Sequence, residues 1–238
     1  MPSDRTPTAS RSAPSIRARV RAEMADEIKA IARRHLASGG ANLSLRAVAR
    51  DLGVVSSALY RYFPSRDDLL TALIIDAYDA LGSAVESADA AVLDRSDLRT
   101  RWLACSHAVR RWALANPAEY ALVFGSPVIG YAAPPDTIPA ALRTPAALVG
   151  ILADGVASGV LTASGSPLPA DLADDLKRLR AQFWPTVPEA LLALGTIGWI
   201  HLFGAVSFEL FGQLNNSIDA REAYFDLQMG LMADLIGL

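Results

Sequence analysis

The stretch LSLRAVARDLGVVSSALYRYFPSRDDLL, residues 43–70, decides how the chain is read. Ser44 stands where an N-cap belongs, and Leu45, Val48, Ala49 and Leu52 follow at helical spacing. Gly53 supplies the left-handed residue that closes this short helix. After Val54, residues 55–63 predict a third short helix with Leu59 and Phe63 turned inward, and Pro64 stops it because its ring disfavours helical backbone around it. Ser65 caps a longer helix that opens near Arg66 and runs through Leu69, Leu70, Leu73, Ile74, Ala77, Tyr78 and Leu81 toward Ala90. Asp67 and Asp68 lie favourably at its positive end. Two short helices joined at Gly53-Val54 share a small core of Leu45, Val48, Leu52, Leu59, Phe63, Leu69 and Leu70, the pattern of a helix-turn-helix.

Upstream, residues 17–37 are helical in pattern, with Val20, Met24, Ile28, Ile31 and His35 or Leu36 at three- and four-residue steps before Gly39-Gly40. Residues 1–15 are rich in Pro, Ser and Thr and are read as a disordered arm, not a secretory signal. Downstream, further helices are expected over 97–115, 117–124, 138–159, 169–183, 187–214 and 219–235, separated by proline-, glycine- or asparagine-marked loops. No alternating run is long enough to argue for a sheet. The fold expected is all-α: a DNA-binding domain of three helices over 16–82 and a larger helical domain over 83–238.

Residues 1–66 hold twelve Arg or Lys against five Asp or Glu, a net of +7, whereas residues 67–238 hold ten against twenty, a net of −10. A basic end on an acidic body suits polyanion binding, because each Arg that neutralises a phosphate releases counterions. The same asymmetry would also arise from a solvated basic helix and tail. One cysteine and three scattered histidines exclude a disulfide framework and give no metal-ligand spacing, so neither metal nor cofactor is expected and a reducing cytoplasm fits. Residues 190–208 carry no Asp, Glu, Lys or Arg and reach the length of a membrane span. Glu189 and Glu209 stand where basic anchors would be expected, and Gly195, Gly198, Gly204 and Gly212 suit close helix packing. A helix buried in the body or across a dimer interface is the preferred reading, and no membrane partner is expected.

The capped helix, the Gly-Val turn, the Leu-Tyr-x-Tyr-Phe run and the basic residue after Pro-Ser resemble the TetR/AcrR family of repressors over residues 17–82. The recognition helix of a helix-turn-helix enters the major groove while its neighbours hold phosphates. Val55, Ser56, Ser57 and Ala58 are therefore read as groove-facing, the serines as hydrogen-bonding groups and Val55 and Ala58 as contacts to thymine methyls. Tyr60 and Tyr62 lie where the resemblance implies a phosphate or base-edge contact, and Arg61 reaches backbone or guanine. Arg46 occupies a position that family members use on bases, and Ser44 with the amides it caps faces the backbone. Arg66 stands for the usual lysine and keeps a phosphate contact. Arg11, Arg17, Arg19 and Arg21 are candidates for added phosphate or minor-groove contacts, with a solvated tail as the alternative. His35 is read as a packing or surface histidine.

In the body, Trp102, Trp112, Tyr120, Phe124, Trp184, Trp199, His201 and Phe203 are candidates for an apolar effector pocket, although core packing explains most such residues. The run GWIHLFGAVSFELFG, 198–212, is similar to a C-terminal type of this family marked by Trp, His and Gly, with Phe203 at the usual His position and His201 displaced by two. The resemblance implies a homodimer through the last two long helices, a palindromic double-stranded operator and release by a small apolar ligand. Rival readings are a ligand-blind regulator, an activator, a membrane-anchored DNA-binding protein, and an enzyme using the apolar body. For an enzyme there is no phosphate-binding glycine loop, nucleophile elbow or convincing acid pair; Asp174-Asp175 and Glu222-Asp226 read as solvated faces.

Overall fold

The computed structural model describes residues 16–39, 43–162 and 168–238, and among them every regular element is helical. The arm 1–15, with Arg11, lies outside the described residues, as does Gly40. Helices α1 (Ile16–Gly39), α2 (Leu45–Asp51), α3 (Ser56–Leu59) and α4 (Arg66–Ala91) come first. They are followed by α5 (Leu98–Ala115), α6 (Pro117–Phe124), a 3-10 turn at Pro135–Thr137, α7 (Ile138–Ala141), α8 (Arg143–Ala157), α9 (Ala170–Phe183), α10 (Glu189–Leu210) and α11 (Arg221–Ile236). Contacts within the chain divide it into two compact units, Met1–Leu69 and Leu70–Leu238. Helix α4 begins in the first and continues in the second.

In the first unit, Ile28, Ile31, Ala32 and Leu36 of α1 are buried, as are Leu45, Val48, Leu59 and Phe63. Leu52 is half-buried, and Val20, read as part of the apolar stripe of α1, is exposed. His35 is half-buried and its Nε2 donates to the Asp51 carboxylate at 2.6 Å, which ties α1 to the end of α2.

In the second unit, α10 packs against α5, α8, α9 and α11, and α5 packs against α8 and α11. Leu191, Leu192, Leu202, Phe203 and Val206 of α10 join Trp102, Val109, Ile151, Phe225 and Met229 in one core. Gly195 lets α10 approach α8 closely, since a Cβ there would lie 2.7 Å from Leu152 Cδ1. Helix α10 has a window of mean hydropathy 1.7, one third of it buried, and is long and apolar enough to cross a membrane. Two arginines taken into this unit are paired with carboxylates. Arg101, 2% exposed, donates to Asp89 and Asp154 at 2.8 Å each, and Arg110 forms a two-pronged pair with Glu209, both bonds 2.8 Å. Cys105 is fully buried, and burial pushes its thiol up to about 12.

The helix expected over 138–159 is two helices, α7 and α8, bent by 45°. Pro145 accounts for the break: it has no N–H to offer the Ala141 carbonyl, and its ring would clash with that carbonyl in a continuous helix. The third helix, expected over 55–63, keeps only one α-turn. Beyond Leu59 the chain continues through tighter bonds, Arg61 N–H to the Ala58 carbonyl at 3.3 Å and Tyr62 N–H to the Leu59 carbonyl at 2.9 Å. Helix α10 stops at Leu210, short of 214, where Gly212 takes φ +77°.

Candidate functional site

The turn that positions α3 is built from backbone bonds and one glycine. Ser44 Oγ accepts the Ala47 N–H at 3.4 Å and caps α2. At the other end, Gly53 N–H donates to the Arg50 carbonyl at 3.1 Å and Val54 N–H to the Ala49 carbonyl at 3.0 Å. The second bond depends on Gly53 reversing the chain at φ +74°, a region costly for residues with a Cβ. Helix α3 then starts from Val55 with no side-chain cap hydrogen bond, and the small residues Ser56, Ser57 and Ala58 follow.

These side chains form an accessible face. Val55 is 70% and Tyr60 44% exposed, Ser57 and Arg61 are exposed, and Ser56 and Ala58 are half-buried. Arg46 and Ser44 are exposed on and before α2. Tyr62 is half-buried under a residue 41 positions upstream: the Arg21 guanidinium lies 5.2 Å from its ring centroid and donates to the Arg61 carbonyl at 3.0 Å. Arg21 therefore belongs to α1 and clamps the turn after α3, a role distinct from that of an arm residue. Nothing in local sequence signals it, because the two partners meet only in the fold. Arg17 and Arg19 are exposed on α1.

The start of α4 follows the expected chemistry. The Asp68 N–H donates to Ser65 Oγ at 3.1 Å and the Ser65 hydroxyl donates to the Asp68 carboxylate at 2.7 Å. Arg66, about one third exposed, pairs with Asp67 at 3.5 Å. At the exposed end of α2, the hydrogen bond from His35 holds the Asp51 carboxyl below its ordinary range, aided by the charges of His35 and Arg50 against desolvation.

In the second unit the eight aromatic and histidine candidates separate into distinct places. Trp102, Trp184 and Trp199 line a cavity of about 220 Å³ with Leu142, Leu148 and Leu152. Tyr120, Phe124 and Phe203 form a packed aromatic cluster instead, Phe124 lying 4.4 Å from Phe203 between ring centroids and Tyr120 5.0 Å from Phe124. The Tyr120 hydroxyl is satisfied within that cluster, donating to the Phe203 carbonyl at 3.0 Å and sharing a hydrogen bond with Ser207 at 2.8 Å. Trp112 packs at the edge of the core. His201 lines a separate groove with Ile200, Phe208 and Tyr224. The cavity residues Leu142 and Pro145 escape sequence reasoning, since they enter the wall through the α7–α8 break that the sequence pattern hides.

With this geometry in place, two family models match the chain. The description "Bacterial regulatory proteins, tetR family" fits residues 28–73, and "Tetracyclin repressor-like, C-terminal domain" fits residues 102–232. The chain is 38% identical over 222 residues to the HTH-type transcriptional regulator Rv1816 of Mycobacterium tuberculosis, covering 91% of this chain and 93% of that protein. The regulator Mb1846 of Mycobacterium bovis matches to the same extent. Among solved structures, the regulatory protein SCO4313 superposes with a TM-score of 0.74 at 31% identity, over 95% of this chain and 100% of that one.

Proposed function

The chain belongs to the TetR family of transcriptional regulators, and from that premise we propose that it is a homodimeric cytoplasmic repressor released from a palindromic DNA operator by a small uncharged ligand. The observation that carries the DNA reading is the accessible face made by exposed Val55, Ser57, Tyr60 and Arg61 on and around a single-turn helix, beside exposed Arg46. Small residues at 56–58 allow the backbone to approach the major groove, where two hydroxyls and a methyl read base edges. Arg61 and Arg46 supply base or backbone contacts, Tyr60 a phosphate contact, and Ser44 and Arg66 hold the backbone at the helix ends. Arg21 holds this turn in place, lying over the Tyr62 ring and bonding the Arg61 carbonyl.

The dimer reading is supported by apolar faces that the second unit leaves exposed. Ile197, Ile200 and Phe208 of α10 are 48–59% exposed, and Leu227, Leu231 and Leu235 of α11 are 47–57% exposed. Such faces, joined by the groove at His201, suit burial against the same helices of a second copy. A two-fold dimer would set two recognition helices about one DNA turn, roughly 34–36 Å, apart. Ligand binding in the cavity would release DNA by favouring a dimer whose spacing no longer fits.

Selection of bound sequences from a random DNA pool tests the reading. The expected product is a near-palindrome, and recovery of no enriched sequence rejects it. Arg46→Ala and Arg61→Ala are expected to weaken operator binding by about 1–3 kcal/mol each and relax preference at one position. Arg66→Ala is expected to weaken all sequences alike and reduce the salt slope by about 1.

A further inference from the structure

The apolar cavity has a neighbour. Tyr78 of α4, Leu122 of α6, Tyr131 and Thr137 of the intervening segment, and Ile138 and Leu142 line a second cavity of about 450 Å³. Leu142 belongs to both walls and stands at the α7–α8 bend. At about 220 Å³ the first chamber exceeds the roughly 150 Å³ that holds a benzene ring, yet it is smaller than the roughly 300–1,000 Å³ typical of ligand pockets. The second chamber lies inside that range by itself, and so do the two together.

Their chemistry differs. In the first chamber two polar groups are satisfied by the protein, Thr196 Oγ1 donating to the Leu192 carbonyl at 2.7 Å and Trp102 Nε1 to the Met229 carbonyl at 3.0 Å, and the indoles of Trp184 and Trp199 add the remaining N–H groups to a wall that is otherwise hydrocarbon. The aliphatic and aromatic surface that makes up most of that wall suits the hydrocarbon part of an occupant. The second chamber brings hydroxyls. Tyr131 shares a hydrogen bond with Thr71 at 2.9 Å, Thr137 donates to the Pro134 carbonyl at 2.7 Å and keeps lone pairs to accept with, and Tyr78 adds a phenol that burial keeps protonated. Among the described residues, neither lining includes Asp, Glu, Lys, Arg or His. Arg143, next to Leu142, is turned away onto Asp79 at 2.8 Å and Glu86 at 2.6 Å. A charged group in either chamber would lose its hydration without gaining a partner.

We propose that the two chambers form one composite effector site divided by Leu142, and that it takes a neutral, elongated amphipathic molecule. Its hydrocarbon end, of ring or short-chain size, lies among Trp102, Trp184 and Trp199, and its uncharged hydrogen-bonding head lies among Tyr78, Tyr131 and Thr137. The proposal rests on the reading of the chain as an effector-responsive regulator and specifies the ligand class.

The test is calorimetric titration of the full chain, without DNA, with decan-1-ol, decanoate at pH 7.5 and benzene. Decan-1-ol is expected to bind at least tenfold more tightly than decanoate, and benzene to bind on its own. In the Tyr78→Phe/Tyr131→Phe variant, decan-1-ol affinity falls fivefold or more while benzene affinity is unchanged, which also shows that the variant is folded. In Gly195→Val, whose added atoms meet Leu152, benzene binding is lost and circular dichroism reports the fold. Decanoate binding as tightly as decan-1-ol, a decan-1-ol affinity within twofold of the parent in the tyrosine variant, or binding of none of the three probes overturns the proposal. If operator selection succeeds while these titrations fail, the composite site alone is rejected; if selection fails, the regulator reading is rejected whatever the titrations show.

Discussion

Replacing Gly53 with alanine isolates how much of the helix-turn-helix depends on one backbone angle. Gly53 has φ +74°, and an added Cβ would meet no heavy atom within 4 Å, so steric crowding contributes nothing. The left-handed conformation itself costs a residue with a Cβ about 1–2 kcal/mol. Alanine also restricts the unfolded chain, which returns about 0.4–1 kcal/mol where the native angle is tolerated. The expected net loss is about 1 kcal/mol, roughly a fivefold rise in local opening. Amide hydrogen exchange reads this directly: Leu52, Gly53 and Val54, whose N–H groups bond to Val48, Arg50 and Ala49, should exchange faster, with α5–α11 as an unaffected internal reference. Gly53→Asn should lose much less, because asparagine enters the left-handed region more readily. Equal exchange in Gly53→Ala and the parent, or equal losses for alanine and asparagine, would refute the assignment of the cost to φ.

Three further outcomes are expected. Arg110→Ala leaves Glu209 buried and unpaired and should destabilise the second unit by about 3–5 kcal/mol in urea unfolding, whereas Arg110→Met with Glu209→Leu should recover most of the loss. The depressed Asp51 carboxyl contributes stability that is present above the ordinary carboxylate range and lost as pH falls through its lowered folded value. Exchange of α2 amides in the parent and in Asp51→Asn should therefore differ at pH 6, and the difference should shrink as pH falls below the ordinary carboxylate range; a difference that does not diminish with acidification contradicts this. Ile200→Asp and Leu231→Asp place charges on the exposed faces of α10 and α11 and should each yield monomers in sedimentation velocity, while the same substitution at exposed Leu93 should leave the mass unchanged.

The boundaries of α2 and α4 could be read in advance because their signals are local: Ser44 and Ser65 cap, Gly53 closes and Pro64 interrupts. The shortness of α3 was hidden, since Leu59 and Phe63 keep helical spacing and are still joined by the Phe63 N–H to the Leu59 carbonyl at 3.1 Å, while the Arg61 and Tyr62 N–H groups bond three residues back. Pro145 gave a local signal for the break between α7 and α8, but the apolar periodicity over 138–159 obscured it. The division of the aromatic residues had no local signal at all. Trp199 and Phe203 lie one helical turn apart on α10 with ring centroids 5.6 Å apart, yet one borders the cavity and the other fills the packed cluster. Which neighbour each meets depends on α5, α6 and α9, and so on contacts far away in sequence. The clamp of Arg21 on Tyr62 was invisible for the same reason.

Cys105, the sole cysteine, has practical value in its inertness. Only thiolates react appreciably with alkylating and disulfide reagents, and a fully buried thiol held up to about 12 is withheld from them both by its protonation and by its burial. A cysteine introduced at an exposed position such as Ser57 or Leu231 would then be the one reactive site on the native protein. The parent chain is in effect a ready background for site-directed spin or fluorescent labels, with Cys105 becoming reactive only as the second unit unfolds.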